Sequence, residues 1–178
     1  MLITKKILNS RVQYWLDKGC PKEKLIVGIP TYGRSWTLST SATALLSPAS
    51  GAGNPGTFSQ SGGFLMYNEI CLLVQSGGWT NVVDPSGKMG PYAHSGTQWV
   101  GYDDVDMVAI KAQYILQHQL GGGMFWDLPS DDFKNLCGGG KYPLIRTVSQ
   151  HLLTGTCANG KKHFFHNLGI DIYIQSKV

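Results

Sequence analysis

No stretch of this 178-residue sequence approaches the roughly 18 consecutive apolar residues of a transmembrane helix, so a soluble protein with no membrane partner is expected. The opening MLITKKILNSRVQYW also lacks the apolar run of about 7–15 residues that a secretory leader needs. Either a cytosolic chain or a missing N-terminus is expected. Charge is scarce as well: 15% of residues are charged and the net charge is +4. With no basic run denser than Lys161, Lys162 and His163, nucleic acid is not an expected partner. The four cysteines, Cys20, Cys71, Cys137 and Cys157, show no C-x-x-C spacing, which argues against a zinc or redox site. No metal and no cofactor are therefore expected. Composition leaves open two disulfides or four free thiols, and no internal repeat is visible.

What is present suits one globular unit, since 42% of residues are hydrophobic and 11% aromatic. Leu8, Val12, Trp15 and Leu16 recur at helical spacing, and Gly19 followed by Pro21 supplies the stop. The apolar run 25–29 in KLIVGIP reads as a strand buried on both faces. Residues 39–63 are rich in Gly, Ser, Ala and Pro and read as a long surface loop. Phe64, Tyr67, Cys71 and Val74 fall on one helical face that ends at Gly77 and Gly78, and β-leaning pieces follow around WTNVVD and TQWVGYD. Asp104 is placed to cap a helix striped by Val105, Val108, Ala112, Ile115 and Leu116, which Gly121 to Gly123 break. A second buried strand is expected at 124–128, then a helix starting at Pro143 with Leu144, Val148 and Leu152 on one side. Strands alternating with helices imply a parallel sheet whose chemistry collects beyond the strands' C-terminal ends. That rule singles out Tyr32, Gly33 and Arg34, and Trp126 and Asp127. Residues 154–178 show only a brief alternation near Ile170, Ile172 and Ile174 and stay unassigned.

The segments KLIVGIPTYGRSWTL, YNEIC, QWVGYDDV and GGGMFWDLPSDDF, in this order and spacing, resemble glycoside hydrolase family 18, the chitinase family. The resemblance covers roughly residues 8–153. It implies an α/β fold, a partial TIM (β/α)8 barrel in which residues 25–30 and 123–128 are the last two strands. Residues 1–34 and 104–153 then belong to the barrel, and residues 35–103 form an α+β insertion walling the substrate cleft. The family's D-x-x-D-x-D-x-E run and its M-x-Y-D segment are absent from this sequence. The family mechanism uses a Glu to protonate the glycosidic oxygen while the substrate's N-acetyl group attacks the anomeric carbon. Glu23 and Glu69 are the only glutamates, and neither sits where the family places that acid, so no catalytic residue is assigned.

The binding side of the family pattern is present. Tyr32 and Arg34 match the Y-G-R after the seventh strand and would hydrogen-bond the sugar; without the resemblance, Arg34 reads as a surface residue or a partner of Asp103 or Asp104. Trp126 matches the tryptophan that lies under a pyranose ring, although a Trp in an apolar strand is more often core. Glu69 and Tyr102 match cleft-wall positions, whereas Asp103 and Asp104 read better as caps of the following helix. Cys71 and Cys137 match a pair that is disulfide-bonded in secreted family members, while Cys20 and Cys157 match nothing. Asp127 and Pro129 depart from the small residue and acidic pair that chitinases commonly carry there, so the nearby subsite is expected to differ in preference; Asp131 and Asp132 restore the later pattern. The resemblance implies chitin or chitooligosaccharide as partner of a monomer, with an extracellular parent protein. Three readings compete: the binding portion of a chitinase, a non-catalytic chitinase-like lectin or signalling protein, and an inactive truncated product. Two strands cannot close a barrel, so poor solubility of the isolated chain is expected.

Overall fold

A computed structural model describes residues 5–154 and 173–175. Helix α1 (Lys5–Asp17) ends where Gly19 takes φ +84°, and the N–H groups of Gly19 and Cys20 close on the carbonyls of Leu16 and Trp15. Only a residue without Cβ adopts that left-handed turn cheaply, so the expected stop is the observed one. Val12 of this helix is buried, with Leu8 and Leu16 packed beside it, while Trp15 faces solvent.

Strand β1 (Ile26–Pro30) pairs in parallel with β8 (Gly122–Trp126), in the register Ile26 with Gly122 through Pro30 with Trp126. On one face Val27, Ile29 and Phe125 meet α3 (Val105–His118) and α4 (Pro143–Thr154) through Val108, Ala112, Ile115, Leu144, Val148 and Leu152. The helical stripes read from the sequence for α1, α3 and α4 are those that pack, except that Trp15 and Val105 are exposed. The strands are not buried on both faces as expected. Ile26 is 37% and Trp126 36% exposed, because no layer of described residues covers that side. A third strand, β9 (Tyr173–Gln175), lies parallel to β8 on its other edge, within the segment the sequence left unassigned.

Only Thr31 separates β1 from β2 (Tyr32–Leu38), the centre of a six-stranded antiparallel sheet. β3 (Ala49–Ala52) and β4 (Phe64–Met66) share one edge of β2; β7 (Gln98–Gly101) takes the other, followed by β6 (Tyr92–Ser95) and β5 (Thr80–Val82). Tyr32 to Arg34 are thus strand residues of this sheet, and Phe64, expected on a helix, lies in β4. Helix α2 (Tyr67–Gln75) covers one face, building a second core from Leu65, Ile70, Ala93, Val100 and Tyr102. Gly33 is forced by that packing, since a Cβ there would overlap Val100 and Ile70. Tyr67 touches both cores.

Candidate functional site

The two sheets meet at Thr31. Its N–H donates to the Trp126 carbonyl at 3.0 Å, its hydroxyl donates to the Asp127 carbonyl, and its own carbonyl accepts the N–H of Tyr67 at 3.0 Å. One fully buried residue therefore ties the end of β1 to the end of β8 and to the start of α2. Nothing in composition or spacing marks Thr31; only the strand register exposes its role.

Just beyond that knot lies a cavity of about 650 Å³, lined on one side by Tyr32, Arg34 and Phe64 and on the other by Trp126, Asp127 and Ser130. Tyr32 and Arg34 are two apart on β2, so they share a sheet face, and the register sets Arg34 opposite Phe64. The Tyr32 and Phe64 rings stack at 4.8 Å, and the Arg34 guanidinium lies 5.2 Å and 5.8 Å from their centroids. This stack holds a cation at the cavity edge with no anionic partner among the described residues. Trp126 presents part of its indole to the same space. Asp127 Oδ1 and Ser130 Oγ are buried and have no hydrogen-bond partner among the described residues. Ser130 escaped the sequence reading; its place between Trp126 and the Asp131, Asp132 pair was the available signal. A second cavity, about 620 Å³, is walled by Trp36, Leu38, Leu45, Leu46, Met89 and Trp99, with no charged side chain in its lining. It offers shape without polar direction, which favours the first cavity as the site.

Three of the five residues read as sugar-binding thus converge, and two do not. Glu69 is buried: Oε1 accepts the N–H groups of Phe58 and Ser59 at 2.6 Å and 3.0 Å, and Oε2 accepts that of Met66 at 2.8 Å. Its carboxylate is consumed in folding the 56–66 segment onto the start of α2, and it is not in the lining of the cavity. Tyr102 is likewise buried in the second core, its hydroxyl donating to Asn81 Oδ1 at 2.9 Å. Burial pushes its phenol well above the ordinary value and raises that of Tyr67 to about 12, with the nearby Asp131 and Asp104 carboxylates adding to the Tyr67 shift.

Neither Asp103 nor Asp104 holds Arg34. Asp104 caps α3 by accepting the N–H of Met107 at 2.8 Å, and burial raises its carboxyl above the ordinary range. Asp103 forms a buried ion pair with Lys111. Asp131 accepts the N–H groups of Asp132 and, from the first turn of α4, Leu144 and Ile145, yet burial still lifts its carboxyl. Asp132 accepts the N–H groups of Leu136 and Cys137, both at 2.8 Å, which folds the loop so that Cys137 reaches Cys71 of α2 in a disulfide. Cys20 has no disulfide partner among the described residues, and Cys157 lies outside them. No cluster of three or more potential metal ligands occurs among the described residues.

Residues 4–131 match the family model for glycosyl hydrolases family 18. The chain is 48% identical over 146 residues to a probable chitinase 10 of Drosophila melanogaster, covering 82% of this chain and 6% of that protein. It is 44% identical over 142 residues to a human chitinase-3-like protein 2, covering 79% of this chain and 36% of that one. Among solved structures it is similar to catalytic domain 2 of a group II chitinase from Ostrinia furnacalis, with a TM-score of 0.79 at 42% identity over 83% of this chain and 39% of that chain. It is also similar to a human pseudo-chitinase with retained chitooligosaccharide binding properties, with a TM-score of 0.75 at 44% identity over 79% of this chain and 38% of that one. The chain spans well under half the length of each.

Proposed function

The chain belongs to glycosyl hydrolases family 18, and from that premise we propose that it is a carbohydrate-binding portion of a chitinase-type protein acting on β-1,4 N-acetylglucosamine polymers. In this reading residues 1–34 and 104–153 are the last part of a (β/α)8 barrel, with β1 and β8 as its final strands. Residues 35–103 are the insertion, and strand β2, which enters its sheet, starts three residues earlier at Tyr32. The parent protein is extracellular, the chain is a monomer, and chitooligosaccharide is its ligand.

The observation that carries the reading is the convergence of Tyr32, Arg34 and Trp126 on one cavity at the C-terminal ends of β1 and β8. In parallel α/β folds that is where ligands sit. A pyranose offers an apolar C–H face to the Trp126 ring and hydroxyls to Tyr32 and Arg34, which matches the chemistry of the wall. The open face carrying Ile26 and Trp126 supports the barrel assignment, because further strands would cover Ile26 and leave Trp126 at the mouth. The second reading, a non-catalytic lectin-like protein, draws on the human relative described as a pseudo-chitinase with retained chitooligosaccharide binding. Both readings predict sugar binding by this chain, and neither predicts hydrolysis by it alone, since the sequence contains no D-x-x-D-x-D-x-E run.

The test is a tryptophan-fluorescence titration of the intact chain with tetra-N-acetyl-chitotetraose. Saturable quenching is expected, and Trp126→Ala weakens it about tenfold, the equivalent of ~1.4 kcal/mol. Absence of saturable binding by the folded chain overturns the proposal. Release of shorter sugars by the chain alone overturns the claim that it is inactive.

A further inference from the structure

Phe64 lines the cavity beside Tyr32 and Arg34, yet it is not among the residues read as sugar-binding, and its side chain has no atom that can hydrogen-bond a sugar. Its position is nevertheless fixed from several sides. Strand β4 sets it directly opposite Arg34 and diagonal to Tyr32, whose own partner is Met66. The Ser59 hydroxyl donates to the Phe64 carbonyl at 3.2 Å, and the Ser35 N–H donates to the carbonyl of Gly63 at 3.1 Å. With the backbone so held, the ring stacks on Tyr32 at 4.8 Å, the two planes 29° apart.

The consequence falls on Arg34. An arginine side chain is long and rich in rotamers, and a guanidinium that meets a ligand from solution must first give up that freedom. A carboxylate is the common restraint, but Asp103 is paired with Lys111 and Asp104 caps α3. The guanidinium instead lies over the Tyr32 and Phe64 rings, 5.2 Å and 5.8 Å from their centroids and within cation–π range of both. The two kinds of restraint differ in what they leave free. A carboxylate would take up two of the five N–H donors in a bidentate pair, whereas a ring steadies the charge and leaves the donors for sugar oxygens.

We propose that Phe64 is a positioning residue of this site: together with Tyr32 it holds the Arg34 guanidinium ready at the cavity wall, so that Phe64 strengthens sugar binding through Arg34 and not by its own contact with the sugar. The proposal rests on the carbohydrate-binding reading above and adds how the site is ordered before ligand arrives. It also separates the roles of the two rings. Tyr32 carries a hydroxyl that can meet a sugar oxygen directly, and Phe64 does not.

Two measurements test this. In nuclear magnetic resonance of the unliganded chain, the Arg34 Nε–H proton is expected upfield of those of Arg11 and Arg146, the other two arginines, because it lies over two aromatic rings. Phe64→Leu moves it toward them. In isothermal titration with tetra-N-acetyl-chitotetraose, Phe64→Leu is expected to weaken binding about fivefold, the scale of a lost cation–π contact. The same change costs almost nothing further in an Arg34→Ala background, and Phe64→Tyr, which keeps the ring, restores both the proton shift and the affinity. Independent, additive losses from Phe64→Leu and Arg34→Ala would mean that the ring meets the sugar itself, and they overturn the inference. So does full affinity in Phe64→Leu, or an Arg34 proton in the unmodified protein that shows no upfield shift, a readout that needs no variant. Each of these leaves the carbohydrate-binding reading intact. If the folded, unmodified chain binds no sugar, that reading fails and this inference with it, even where the proton shift is as expected.

Discussion

Lys111 and Asp103 show how a buried charge constrains its surroundings. Both side chains are almost fully enclosed, at 4% and 6% exposure, so each depends on the other for the hydration it has lost. This pairing removes Asp103 as a partner for Arg34, as capping removes Asp104, and it leaves the guanidinium to the aromatic stack at the cavity. Replacing one ion strands the other. Lys111→Met is expected to cost about 3–5 kcal/mol in urea unfolding, and adding Asp103→Leu to recover most of the loss. Equal destabilisation by the single and double variants would show that packing of the lysine stem, not the charge pair, is what matters.

At the scale of elements, the 56–66 segment and α2 are one unit because Glu69 joins them. Its three accepted backbone N–H groups lie within that segment, and Gly56 approaches the carboxylate so closely that a Cβ would overlap it. Ser59 and Phe64 of the same segment line the cavity. Glu69→Ala is expected to cost about 1–3 kcal/mol of stability by leaving donors unpaired, to open the segment to limited proteolysis, and to weaken sugar binding indirectly. Unchanged proteolysis would refute the tether. Helices α1, α3 and α4 were legible from the sequence because their apolar residues recur every third or fourth position against a covered face. The strands were half legible: a continuous apolar run shows that β1 exists but not which alternate residues are covered, and here only Val27 and Ile29 are. Motif order drew attention to Tyr32, Arg34 and Trp126, which line one cavity. Glu69 and Tyr102 lie buried outside the cavity lining; a motif position carries no information on which way a polar group turns. Thr31 and Ser130 act through contacts about 96 residues away or through none, which local pattern cannot reveal.

At the scale of the whole molecule, two cores are held together by three different links. Thr31 runs β1 directly into β2, Tyr67 packs in both cores, and the Cys71–Cys137 disulfide joins α2 to the loop after β8. The disulfide closes 66 residues of sequence, so in the chain-entropy account it removes about 4 kcal/mol worth of freedom from the unfolded chain. It is not the sole link, however, and the noncovalent ones are buried. Asp132 also shapes the 132–137 turn through its own hydrogen bonds, whether or not the sulfurs are joined. The Cys71→Ser, Cys137→Ser double variant is therefore expected to lose up to about 4 kcal/mol while still unfolding in one cooperative transition. Coincident far-ultraviolet circular dichroism and tryptophan-fluorescence melts would establish this. If the two probes separate, with Trp36 and Trp99 of the antiparallel sheet reporting a melt distinct from that of α3 and α4, then Tyr67 and Thr31 do not couple the cores and the disulfide alone makes them one unit.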